Sequence, residues 1–326
     1  MTAIYALSHF AVDLGCAYAV FSGSKTGHLG YLFYNFFAFA MQMPLGLLAD
    51  RFCKNRWFAV AGTLLVALLC CFPTFGMAGV IVLGLGNALF HIGGGLDVMN
   101  LSGDRAAPLG VFVSPGAFGL FLGTLWQGQN RLPVLFLLLV CAAWMVFAPA
   151  GKCLPKNREL AFPDTAVLPW AALLFLVVVF RSYGGMQTAF PWKTGIWSWI
   201  AVLAVVLGKT CGGILSDRFG AIPASIGSLV LAAALFCFSP IPVCGVLALF
   251  LFNMSMPITL HTLAKAMPGC KGFSFGLLTF ALFLGFLPTY FGSPAIDGTG
   301  MAIVCLISLI FLLFALNKLP SSNHPK

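Results

Sequence analysis

Charge is what this sequence has least of. Only 8% of its 326 residues are Asp, Glu, Lys or Arg, against about 25% in an average soluble domain. Hydrophobic residues make up 60%, and the mean hydropathy is +1.01. This composition excludes a soluble globular chain and implies an integral membrane protein. Long polar stretches are missing as well, which leaves no room for a soluble catalytic or effector domain. The formal charge of +9 is therefore read by position, not as a nucleic-acid footprint, and no nucleic-acid partner is expected. No basic segment precedes the first apolar run, which holds His9 and Asp13, so a cleavable signal peptide is not expected. Cysteine is not scarce, but nearly all eleven lie inside apolar runs and read as small hydrophobes, not as a disulfide framework.

Enzyme signatures are missing too. Gly208-Lys209-Thr210 ends like a phosphate loop, but Leu203 stands where that motif needs glycine, and Leu89 takes the place of the third glycine of a dinucleotide fingerprint after Gly84-Leu85-Gly86. No Ser or Cys has a base at motif spacing. His9, Asp13 and His91 are metal-ligating types, but no tight ligand spacing joins them. Neither an enzyme, a cofactor nor a metal is expected. A sensor would need an effector segment longer than the one sizeable loop.

What is present is a series of apolar runs. A spanning helix takes about 20 residues, and twelve runs fit, at 3–22, 29–49, 57–76, 79–98, 108–126, 133–149, 167–186, 196–215, 221–239, 243–263, 272–291 and 299–317. The longest connection falls at mid-chain. It predicts two six-helix halves, residues 1–150 and 167–326, joined by a linker over 151–166. With the N-terminus inside, twelve basic residues fall on the cytoplasmic side and three outside. That positive-inside bias places both termini in the cytoplasm, in a plasma membrane of the bacterial inner-membrane kind.

One heptapeptide recurs at half-chain spacing: 46–52 reads GLLADRF and 213–219 reads GILSDRF. Two halves built on one plan follow from it. Each Asp-Arg pair falls where two apolar runs meet, with Asp50 and Asp217 expected to begin helices 3 and 9 and to favour their positive N-termini. Polar groups follow a period of three: runs 1, 4, 7 and 10 carry them, while 3, 6 and 12 have no charge or amide and 9 has only small hydroxyls. The first set should face a wet cavity and the second lipid. Breakers at Gly93-Gly94-Gly95, Ser114-Pro115-Gly116, Pro257 and Pro288 mark bends or plain curvature.

Asp13 lies too deep to reach the interface and, with His9 one turn earlier on the same face, forms the candidate proton-coupling site. His91 and His261, offset by 170 residues, read as pseudo-symmetric. Arg181 corresponds by repeat offset to position 14, so it could face Asp13, and Lys209 either snorkels or adds a second cation. The candidate substrate cavity comprises His91, Arg181, Tyr183, Lys209, Asn253 and His261, with Asn35 and Gln42 from run 2. Asp50, Arg51, Arg105, Asp217 and Arg218 are the candidate gating residues.

Gly46, Asp50-Arg51 and Lys54-Asn55-Arg56 resemble the loop motif between helices 2 and 3 of the major facilitator superfamily, and Gly213, Asp217-Arg218-Phe219-Gly220 its counterpart between helices 8 and 9. Cys53 stands where the family usually has glycine. A narrower resemblance, to the fosmidomycin-resistance branch, rests on Ser8-His9-Phe10 with Asp13, on Gly84 to His91, on Ser102 to Arg105 and on Met267-Pro268-Gly269. After His91 come Ile92 and Gly93 where that branch has Pro and Glu, so its carboxylate is missing. The resemblance implies an alternating-access secondary transporter in which the Asp-Arg loops lock the cytoplasmic gate. Proton-coupled efflux of a small organic compound by a monomer is the first expectation. Proton-coupled uptake of a small organic anion, suggested by Arg181 and Lys209, is the second.

Overall fold

The computed structural model describes residues 1–147 and 164–319. Most of the expected linker over 151–166 lies outside them. Twelve helical segments run in chain order: α1 Thr2–Gly23, α2 Gly27–Phe52, α3 Asn55–Cys71, α4 Met77–Ser102, α5 Ala107–Leu125, α6 Leu132–Phe147, α7 Thr165–Gln187, α8 Ile196–Phe219, α9 Ala221–Phe236, α10 Pro242–Ala266, α11 Lys271–Tyr290 and α12 Gly298–Lys318. Nine are long and apolar enough to cross a bilayer, and α3, α6 and α9 are shorter apolar helices of 16–17 residues. The architecture is the all-α, twelve-helix membrane fold with two pseudo-symmetric bundles that the sequence predicts. Successive helices alternate direction, so the start of α1 and the end of α12 lie on one face, the termini face, and the other is distal.

The oily helices lie outermost, as Phe136 and Phe147 of α6 (70% and 86% exposed) and Phe314 of α12 show. With no water in a bilayer core, apolar side chains can be left there at no cost. Three helices depart from regularity. In α2, residues Phe36–Ala40 form a π-helical turn, α5 breaks at Ser114, and α10 breaks at Met254. The α5 break has a plain cause. Pro115 has no N–H to give to Val111 O, and the Ser114 hydroxyl donates to that carbonyl instead, at 3.2 Å. By contrast Gly93-Gly94-Gly95 leaves α4 unbroken. An added Cβ on Gly93 would meet the α3 backbone at 2.3 Å, so that glycine serves close packing.

The two halves meet on the termini side through the repeated heptapeptide. Asp50 and Asp217 do not begin α3 and α9. They sit in the last turns of α2 and α8, which continue to Phe52 and Phe219, and they cap helices of the opposite half. Asp50 accepts from Gly272 N (2.8 Å) and Phe273 N (2.9 Å) at the start of α11. Asp217 accepts from Ala106 N (2.6 Å) and Ala107 N (2.9 Å) at the start of α5. The glycine four residues earlier explains the spacing of the motif. A Cβ on Gly46 would lie 2.2 Å from Gly272 O, and one on Gly213 2.8 Å from Ala106 O. Glycine brings the backbones together one turn below the carboxylate, and the carboxylate satisfies N–H groups that a helix start leaves orphaned. Lys265 of α10 adds an ion pair to Asp104 at 2.9 Å. Arg51, Arg105 and Arg218 are exposed and make no ion pair among the described residues, so aspartates and glycines, not arginines, close this face.

On the distal side the halves touch through rings. His28 stacks on Tyr290 with centroids 4.1 Å apart, and Trp199 packs edge-on against Phe121 at 5.0 Å.

Candidate functional site

Helices α1 and α4 bring three ionisable groups to one point inside the N-terminal half. His9 Nε2 lies 3.2 Å from Asp13 Oδ2, His91 Nε2 lies 3.7 Å from Asp13 Oδ1, and the two Nε2 atoms are 2.9 Å apart. Both imidazoles are buried, and Asp13 keeps 20% of its side chain accessible. Asn87, one turn before His91, donates to Asp13 Oδ1 at 3.2 Å. Gly116 of α5 makes room for the group, since a Cβ there would sit 2.3 Å from His9 Nε2 and 2.4 Å from Asp13 Oδ2.

Tautomers follow from the remaining ring nitrogens. His9 Nδ1 faces Phe112 O at 2.7 Å, and His91 Nδ1 faces Asn87 O at 2.9 Å. A carbonyl oxygen only accepts, so each Nδ1 carries a hydrogen and donates it. Two neutral imidazoles would then point lone pairs at each other across 2.9 Å, with a carboxylate beside them. A hydrogen between the Nε2 atoms resolves this. The arrangement is therefore one that can take up a proton between two rings, beside the Asp13 carboxylate. The three ligand atoms also lie within 4.8 Å of one another, as metal donors do. Two nitrogens on one tetrahedral zinc at 2.0–2.1 Å would however stand about 3.3 Å apart. The observed separation is that of a hydrogen bond, so the present geometry fits a proton better than a metal.

A second constellation lies in the C-terminal half. A cavity of about 270 Å³ is lined by Arg181 and Ser182 of α7, Lys209 of α8, Asn253 of α10, and Phe190 and Lys193 of the distal loop, among apolar side chains. Arg181 is 8% exposed, and its Nη1 has no hydrogen-bond partner. Lys209 does not snorkel. Its Nζ donates to Val113 O at 3.3 Å. A larger cavity, about 420 Å³, lies at the termini face under the gate and is lined by Asp104, Asp217, His261 and Lys265 among others. None of His9, Asp13, His91, Arg181 and Lys209 lines it.

The α5 break joins the two constellations. Phe112 O holds His9 and the next carbonyl, Val113 O, holds Lys209. Thr210 of α8 donates to the Ser114 hydroxyl at 3.0 Å in the same turn.

Several expected positions move. Arg181 makes no ion pair with Asp13, because α1 packs on α5 and α7 on α11 and α12. Asp13 is answered within its own half. His91 meets His9 and Asp13 and does not line the cation-lined cavity. His261 is not its mirror image: it stands five residues before the end of α10, against eleven for His91 in α4, and so lies at the termini face. Asn35 and Gln42 flank the π turn and donate to carbonyls of their own helix, Tyr31 O and Ala38 O, so neither lines the cavity. Nor does Tyr183. Asn253, Arg181 and Lys209 do. Asn87, Gly116, Lys193 and Lys265 were not expected at these sites. Asn87 and Gly116 stand in segments already marked as polar or broken, and Lys193 sits beside aromatics in Phe190-Pro191-Trp192.

No family model and no curated protein matches this sequence. Solved structures do match its fold. The structure described as the major facilitator superfamily transporter FucP in the outward conformation aligns with a TM-score of 0.70 at 14% identity, over 98% of this chain and all of that one. The Escherichia coli fucose:proton symporter FucP, in a variant form, aligns at 0.64 and 13%, over 98% of both chains. The chain therefore has the major facilitator fold. Nothing in these comparisons supports the narrower likeness to the fosmidomycin-resistance branch.

Proposed function

We propose that this protein is a proton-coupled secondary transporter that takes up a small organic anion. The observation that carries the reading is the division of charge: His9, His91 and Asp13 placed to share a proton in one half, and around a cavity in the other, cations that make no ion pair among the described residues. Such a cavity favours an anion. That a structurally similar protein is a fucose:proton symporter supports uptake over the efflux first expected. The positive-inside bias sets the termini face in the cytoplasm, so the gate shut by Asp50 and Asp217 is the inner one.

Coupling runs through the α5 break. An anion in the cavity draws Lys209 from Val113 O, and the loosened turn shifts Phe112 O, which orients His9. Proton and anion then favour the same arrangement of the two halves, as linkage requires of a symporter. Loading both neutralises charges that would otherwise cross the membrane exposed.

Proteoliposomes under an inward proton gradient test this with a radiolabelled panel of small carboxylates. Wild type should accumulate at least one of them against its gradient. Asp13→Asn should abolish accumulation while leaving exchange of the same anion measurable. Accumulation that survives in Asp13→Asn would remove the coupling assignment.

A further inference from the structure

Resting on that transport reading, the geometry points to a narrower occupant: we infer that the cavity takes a carboxylate on an apolar body and rejects polyols. The argument counts hydrogen-bonding capacity. Arg181, Lys193 and Lys209 only donate. The Ser182 hydroxyl is committed to Leu282 O at 2.7 Å, and the Asn253 amide N–H group to Leu249 O at 2.8 Å. That leaves two side-chain acceptors lining the cavity, the Asn253 carbonyl and the lone pairs of the Ser182 hydroxyl. A sugar presents several hydroxyls, each of which must donate as well as accept. With two acceptors for several hydroxyls, the remaining hydroxyl hydrogens would go unpaired on burial, the kind of mismatch that discriminates most strongly between ligands. A carboxylate brings acceptors alone and fits a guanidinium with two parallel bonds.

The rest of the wall is apolar. Met186, Phe190, Leu249, Phe252, Met256 and Leu282 surround the cations. A compact inorganic anion would leave that surface wet, whereas an aromatic or branched aliphatic body covers it. Arg181 is the head-group anchor, because it is more than nine-tenths buried with an unpartnered nitrogen. Lys193, exposed on the distal loop, is a rim charge.

Purified protein and 4-fluorobenzoate, followed by fluorine NMR, test the inference. Binding should be displaced by 2-naphthoate and not by L-fucose. Arg181→Met should weaken it on the order of a hundredfold and Lys193→Ala no more than about threefold, as expected for a buried against a rim charge. Arg181→Lys, which keeps the cation, should recover part of the loss and shows whether the site still folds. Displacement by L-fucose, equal binding to Arg181→Met, or no binding to wild type would overturn the assignment. Proton flux in proteoliposomes separates the two readings. If L-fucose drives flux and 4-fluorobenzoate does not, the substrate class falls and symport stands. If 4-fluorobenzoate binds with these specificities but moves no protons, the class stands and symport falls.

Discussion

The two halves of this protein agree where they meet and differ where they hold charge. At the termini face the copies match atom for atom in kind: Gly46 and Gly213 let backbones touch, and Asp50 and Asp217 each cap a helix of the other half. Inside, the plan is broken. The N-terminal half places Asp13, His9 and His91 together, and the C-terminal half places Arg181, at the offset position 14, with Lys209. The gate answers to backbone geometry, which is the same on both sides of the pseudo-twofold. On the proposed reading the interior answers to what is carried, and a proton and an anion ask for opposite charges.

The largest effect that can break this comparison comes from filling the glycine contacts. Gly46→Ala puts a methyl 2.2 Å from a backbone oxygen that has no flexible end to move, and Gly213→Ala one at 2.8 Å. Both should hold the termini-side gate ajar, Gly46→Ala more so, read as solvent reactivity of cysteines placed below the gate. Equal closure in both variants would mean the contacts are incidental. Next come the caps. Asp50→Ala and Asp217→Ala each strand two helix N–H groups, a loss of about 1–2 kcal/mol, or roughly tenfold in the gate equilibrium. The two should act alike, and a silent copy would end the claim of symmetric gating. The smallest effect concerns the turns after the heptapeptides. Cys53 (φ 52°) is the one non-glycine residue at positive φ among the described residues, and Gly220 (φ 92°) holds the equivalent place. Gly220→Ala should destabilise by about 1–2 kcal/mol, because φ 92° with ψ 154° is a region essentially only glycine adopts, while Cys53→Gly should gain no more than about 1 kcal/mol. Thermal unfolding in one detergent checks both.

The twelve spans were legible because hydropathy and span length constrain a chain in lipid more tightly than any local propensity does. Helix ends were less so. The Asp-Arg pairs look like turn residues, yet α2 and α8 run on through them, because the carboxylates find partners on another helix that no local pattern announces. His9 with Asp13 was readable from the i, i+4 spacing. Their meeting with His91, and the failure of Arg181 to meet Asp13, depend on how α1, α4 and α7 are rotated and paired, which spacing does not encode. Asn35 and Gln42 could not be placed from spacing: an amide on a membrane helix can give its N–H to its own backbone, as both do, and need not face a cavity. His261 misled because equal offset is not equal depth.

The central claim is that one proton site in the N-terminal half and one anion site in the C-terminal half are linked. Calorimetric titration of 4-fluorobenzoate in buffers of different ionisation enthalpy measures the protons taken up per anion bound. Anion binding should take up a proton, approaching about one per anion, and the uptake should vanish in Asp13→Asn. Anion binding with no proton uptake at any pH, or uptake unchanged in Asp13→Asn, would contradict the account.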